Sequence, residues 1–158
     1  MSQKNKIQLK AEANSLETVI TRNFDVPREL VFRALCDGSA IPKWWGDQCT
    51  VQKYDTQTGG SWSMMVKNPN GWEQHFHGVY HDVTAPERIV RTIEMSPGKV
   101  NLEIFLLTEN GTGTTMSLQT LYQNVEDRDT VLKYGLEAYA GMVYQRLEDL
   151  LMAELQTA

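Results

Sequence analysis

DTVLKYGLEAYAGMVYQRLEDLLMAEL, Asp129 to Leu155, is the stretch on which the fold turns. Leu132, Leu136, Tyr139, Val143, Leu147, Leu150 and Leu151 recur in it at three- and four-residue steps, the period of one helix face. The spacing predicts one helix of about 27 residues, about 40 Å long. Gly135 and Gly141 interrupt the pattern. Each costs about 1 kcal/mol against Ala in a helix interior, so they are read as points where the helix approaches the sheet closely.

Before this helix the period is two, not 3.6. From Cys49 to Leu121 every signal is strand or turn. Strands are predicted at Ser61–Val66, Glu73–Thr84, Ile89–Glu94, Lys99–Thr108 and Thr114–Leu121. Asn68-Pro69-Asn70-Gly71, Ser96-Pro97-Gly98 and Asn110-Gly111 supply the turns between them. In Lys99–Thr108 the alternation puts Val100, Leu102, Ile104 and Leu106 on one face. Links this short between successive strands imply an antiparallel meander.

Nearer the N-terminus, Thr18–Phe24 reads as a first strand. Asp25-Val26-Pro27 then opens a helix of about three turns that stops at Asp37-Gly38. Ser39 is read as the cap of a second, very short helix carrying Pro42, Trp44 and Trp45. The fold class is therefore α+β: a curved antiparallel sheet wrapped around a long C-terminal helix, with two short helices after the first strand. Residues 1–15 are read as a flexible, solvated tail and 16–158 as a single domain.

Composition narrows the function classes. The 158 residues are 41% hydrophobic and 22% charged, an ordinary globular balance. A net charge of −5 argues against broad nucleic-acid binding, which needs clustered Lys and Arg. No apolar run reaches the ~20 residues of a membrane-spanning helix, and Met1–Ser15 lacks a secretory segment, so no membrane insertion and a cytoplasmic location are expected. Cys36 and Cys49 have neither metal-ligand spacing nor a disulfide-rich context and are read as free thiols. His75, His77 and His81 fall on one strand face opposite Phe76 and Tyr80. They are read as outer-surface residues, with no metal and no cofactor expected.

The candidate site rests on the aromatic and methionine supply. Trp44, Trp45, Trp62, Met64, Phe76, Tyr80, Tyr139 and Met142 fall on elements that a sheet and a covering helix bring together. Several carry a polar tip that a packing-only core uses sparingly. Arg22 and Asp82 share strand faces with apolar neighbours by parity and are the candidate polar groups of the same cavity.

Three segments carry a family resemblance. ITRNFDVPRELVFRALCDGSAIPKWWG (Ile20–Gly46) resembles the opening signature of proteins similar to the activator of the heat-shock protein 90 ATPase, within the SRPBCC, or START-like and Bet v 1-like, superfamily. GGSWSMMVKNPNG (Gly59–Gly71) is similar to the family's next hairpin, and HGVYHDVTAPERIV (His77–Val90) to its following strand and turn. The resemblance spans about Val19 to Leu155. It implies a helix-grip fold around a hydrophobic cavity, small apolar ligands, a stress-response setting and a heat-shock protein 90 chaperone as an alternative partner. Where the family commonly carries Gly-Trp in the last helix, this chain has Gly141-Met142, which bears on the cavity wall.

Together these readings rank a binding module for a small apolar ligand ahead of two alternatives. One is a cyclase or hydrolyase using Tyr80 with Asp82 or Arg22. The other is a co-chaperone.

Overall fold

The structure, a computed structural model, describes residues 5–46 and 48–157. Its elements run β1 (Gln8–Lys10), β2 (Glu17–Phe24), α1 (Arg28–Cys36), α2 (Ile41–Trp45), β3 (Cys49–Tyr54), β4 (Ser61–Lys67), β5 (Glu73–Thr84) and β6 (Arg88–Glu94). They continue with β7 (Val100–Asn110), β8 (Gly113–Leu121), α3 (Val125–Lys133) and α4 (Leu136–Thr157). The strands form one antiparallel sheet in the order β1-β2-β8-β7-β6-β5-β4-β3. Strands β3 to β8 are the expected meander, and α1 and α2 carry the chain from β2 to the far edge. The curved sheet grips α4, the helix-grip architecture.

Helix α4 buries Ala140, Val143, Tyr144, Leu147, Glu148 and Leu151, a stripe at the 3–4 spacing of one helix face. Against it stand Ile20, Phe24, Phe105, Leu107, Met116 and Leu118 from the inner face of the sheet. On β7 the inner face is Asn101, Glu103, Phe105 and Leu107. The aliphatic series Val100, Leu102, Ile104 and Leu106 turns outward.

The single 27-residue helix does not form. Asn124 accepts a hydrogen bond from Asp127 N at 2.7 Å and starts α3 four residues before Asp129. The helix then breaks at Gly135, whose φ of +96° leaves the right-handed helical region. Gly135 is thus a joint between α3 and α4. Gly141 stays helical, and a Cβ on it would stand 3.9 Å from Ile7 in the N-terminal segment, an ordinary contact. Ser39 is not a cap either: α2 begins after Ala40 with no side-chain cap, and Ser39 Oγ donates to Asp37 Oδ1 at 2.7 Å.

The solvated tail expected over residues 1–15 is, in its described part, ordered chain. β1 pairs with β2, Leu9 opposite Ile20, which leaves a strand of only three residues at that edge of the sheet. Asn5 is 5% exposed and donates through Nδ2 to Glu148 and to Asp25 Oδ2. A polar side chain is buried there because a carboxylate on α4 accepts its hydrogen bonds.

Gly135→Ala meets no neighbouring atom and isolates the backbone effect, so a loss of about 1 kcal/mol in urea unfolding is expected. Gly78→Ala should cost more, because its Cβ would stand 1.9 Å from Thr92 O and 2.9 Å from Trp62 Nε1. Equal stabilities for the two variants would contradict this packing.

Candidate functional site

Between the sheet, α2 and α4 lies a small void of about 10 Å³. Its lining includes Trp44 and Trp45 from α2, Tyr54 and Met64 from β3 and β4, and Tyr80, Arg91 and Phe105 from the next three strands. Tyr144 of α4 closes it, with Leu35, Ile41 and Ile89 filling the remainder. Aromatic faces meet throughout: Trp44 stacks on Tyr144 with ring centroids 6.2 Å apart, and Tyr54 meets Tyr80 edge-on at 6.1 Å.

Arg91 is the chemical centre of this wall. It points inward from β6, directly across from Glu103 on β7, and its Nε donates to Glu103 Oε1 at 2.8 Å. Nη1 donates to the phenol oxygens of Tyr54 and Tyr80, both at 3.3 Å. The guanidinium carbon lies 4.0 Å from the Trp62 ring centroid and 5.3 Å from that of Phe105, within cation–π range. Burial opposes the charge, yet Glu103 and the two phenols outweigh it and hold the pKa above the ordinary arginine value. Burial likewise pushes Tyr54 and Tyr144 up, so both stay protonated at neutral pH.

Trp62 is held by the sheet beneath it. Its Nε1 donates to Thr92 O at 3.1 Å across Gly78, the residue paired with it on β5. Any side chain at position 78 would occupy that path. Trp45 Nε1 donates to Tyr139 Oη at 2.8 Å, joining α2 to α4 through an exposed hydrogen bond.

Of the residues named from sequence, Trp44, Trp45, Met64 and Tyr80 line the void. Trp62 packs on Arg91 behind it, and Phe76 is buried edge-on to Trp45 with centroids 6.0 Å apart. Tyr139, 37% exposed, is not part of the lining but accepts the hydrogen bond of Trp45, which is. Met142 is 44% exposed and not part of the lining, so the Gly141-Met142 difference does not alter this wall.

The two polar candidates lie elsewhere. Arg22 is buried but pairs with Glu148 at 3.0 Å and donates to Gln145. Asp82 faces outward and pairs with Arg88 at 2.6 Å, because a β-bulge between Tyr80 and Asp82 breaks the parity that put them on one face. Tyr80, Asp82 and Arg22 are therefore not assembled into one catalytic group.

His75 and His77 lie on the outer face with ring centroids 4.9 Å apart, and His75 Nε2 is 2.8 Å from Ser63 Oγ. His81, at the bulge, is exposed. Among the described residues no group of three metal-ligating side chains forms. Sequence reasoning missed Tyr54, Arg91, Glu103 and Tyr144. For Glu103 the one available signal was the other parity of β7, where a charge alternates with Phe105 and Leu107.

Removing one member of the central pair should be far worse than removing both. Glu103→Leu leaves Arg91 buried and uncompensated, with an expected cost of about 3–5 kcal/mol, and adding Arg91→Met should restore much of it. Urea unfolding of the four-protein cycle measures this; additive losses would mean the pair is not coupled.

The thiols set a second expectation. Both cysteines are free, and burial raises Cys36 to about 12 and Cys49 to about 11 from a usual 9.0. Above pH 9 the unfolded chain therefore loses thiol protons that the folded chain keeps. Stability should fall as pH rises from about 9 to about 12, and be untouched by these groups at neutral pH. Replacing both by Ala should lessen that decline in melting temperature, most clearly between about pH 9 and about pH 10, below the ordinary tyrosine range; an unchanged slope there would assign it to other groups.

The comparisons with known proteins agree with this architecture. A search among curated proteins finds no match. Among solved structures, protein Ms6760 from Mycobacterium smegmatis superposes with a TM-score of 0.85 at 20% identity, covering 92% of this chain and 96% of that one. A protein from Rhodobacter sphaeroides gives 0.82 at 20% identity, over 94% and 99% of the two chains. CalU16 from Micromonospora echinospora gives 0.63 at 17% identity, over 96% and 91%. At these identities the likeness is one of fold. The family model described as Activator of Hsp90 ATPase homolog 1-like protein matches residues 25–152, and the chain belongs to that family.

Proposed function

We propose that this protein binds a small, largely apolar molecule between the sheet and α4, admitted when α2 swings away from α4. The observation that carries this reading is the Arg91–Glu103 pair set in an aromatic wall beside the void. Stability alone is a poor reason for such a pair, since well-packed apolar residues in place of a buried ion pair are often neutral or stabilising. A polar centre in an aromatic pocket is instead the usual composition of a small-molecule site, where a few placed polar groups orient an otherwise apolar ligand.

The void of about 10 Å³ is the closed form. Ligand pockets run to about 300–1,000 Å³, so binding needs a moving part. α2 has five residues, and its Trp45 is tied to α4 by two exposed hydrogen bonds, one that its Nε1 donates to Tyr139 and one that its carbonyl oxygen accepts from Arg146. Each such bond is worth only about 1 kcal/mol net, which suits a latch.

Thermal unfolding and tryptophan emission, followed with a set of aromatic and isoprenoid probes, test the proposal. A binding probe should raise the melting temperature by linkage to the folded state and change the emission of Trp44 and Trp45. Tyr139→Phe, which keeps the ring and removes the latch oxygen, should speed association severalfold. No shift in either signal across the whole set would overturn the binding reading.

A further inference from the structure

Three of the four tryptophans account for their indole N–H or their surroundings. Trp45 donates to Tyr139, Trp62 donates to Thr92 O, and Trp72 is exposed. Trp44 is different. It is 1% exposed, and its Nε1 has no hydrogen-bond acceptor among the described residues. A buried donor left without a partner costs about 1–3 kcal/mol, so its presence in the wall of the void calls for an acceptor there. The void itself, about 10 Å³, has room for about one oxygen-sized atom.

Resting on the binding reading above, we infer that the interior site recognises a neutral oxygen acceptor, such as the carbonyl of an aromatic ketone, through the Trp44 indole N–H. The ring system follows from the aromatic faces beside that donor: Trp45 at 5.5 Å and Tyr144 at 6.2 Å, centroid to centroid. Neutrality follows from the charges. Among the described residues Arg91 is the one charged member of the lining, and Glu103 already compensates it at 2.8 Å. A carboxylate ligand would bring a second negative charge to a buried centre, where the described residues of the lining offer no further cation to receive it. A carbonyl oxygen accepts from Trp44 and adds no charge.

Three probes of one shape separate the possibilities: 2-acetylnaphthalene, 2-isopropylnaphthalene and 2-naphthoate, titrated by calorimetry at pH 7.5 into the wild-type protein and Trp44→Phe. The wild type should bind the ketone about tenfold more tightly than the hydrocarbon, the value of one buried hydrogen bond, and should bind the naphthoate more weakly than the ketone. Trp44→Phe should keep hydrocarbon binding and lose the ketone preference. Equal binding of ketone and hydrocarbon by the wild type, as expected if water serves the indole, overturns the inference and leaves the binding reading intact. So does a preference that survives in Trp44→Phe, or a naphthoate that binds best. Failure of all three probes overturns the inference, while the binding reading stands or falls with the wider set of aromatic and isoprenoid probes. Should the variant lose its cooperative melt, the wild-type order of the three probes decides alone.

Discussion

Glu148 accepts hydrogen bonds from Arg22 Nη1, Asn5 Nδ2 and Asp25 N, so one buried carboxylate on α4 holds the sheet, the N-terminal segment and the approach to α1. Arg22 and Glu148 are almost wholly removed from solvent, and a charge so placed is costly unless paired and hydrogen-bonded. The geometry of the grip follows from meeting that demand. α4 can slide or rotate on the sheet only by exposing the carboxylate to unpaired burial. The order of the N-terminal segment follows as well, because Asn5 supplies a donor that Glu148 needs.

The second buried pair, on β6 and β7, has a different character. Arg22–Glu148 joins strand to helix, whereas Arg91–Glu103 joins two neighbouring strands and holds no helix in place. What Arg91 does hold is a set of rings: it donates to Tyr54 and Tyr80 and lies over Trp62 and Phe105. Tyr54 in turn donates to Leu35 O at the end of α1, which couples the polar centre to the segment leading into α2. A ligand that altered the partners of Arg91 would therefore be felt at the helix that covers it. This coupling links the buried polar centre to the proposed motion of α2.

Much of the architecture was legible from local pattern. Asn68-Pro69-Asn70-Gly71 and Asn110-Gly111 marked hairpins because they meet the backbone demands of turns by themselves, and α1 ended where Asp37-Gly38 said it would. The aromatic wall was legible in part, since Trp44, Trp45, Met64 and Tyr80 belong to it. Elsewhere local pattern misled. The aliphatic series of β7 was the conspicuous one, but the sheet turned it outward and kept Glu103 inside. On β5 a single bulge carried Asp82 to the surface.

Sequence alone determined what depends on residues near one another in the chain: strand and helix periods, turns, and the supply of rings from which a site could be built. Tertiary structure alone decided which face of β7 is interior, where the long helical run breaks, and which carboxylates meet Arg22 and Arg91. Those partners are 126 and 12 residues away in the chain. A buried charge selects its partner by distance and desolvation in the folded molecule, and neither quantity is written in the order of the residues.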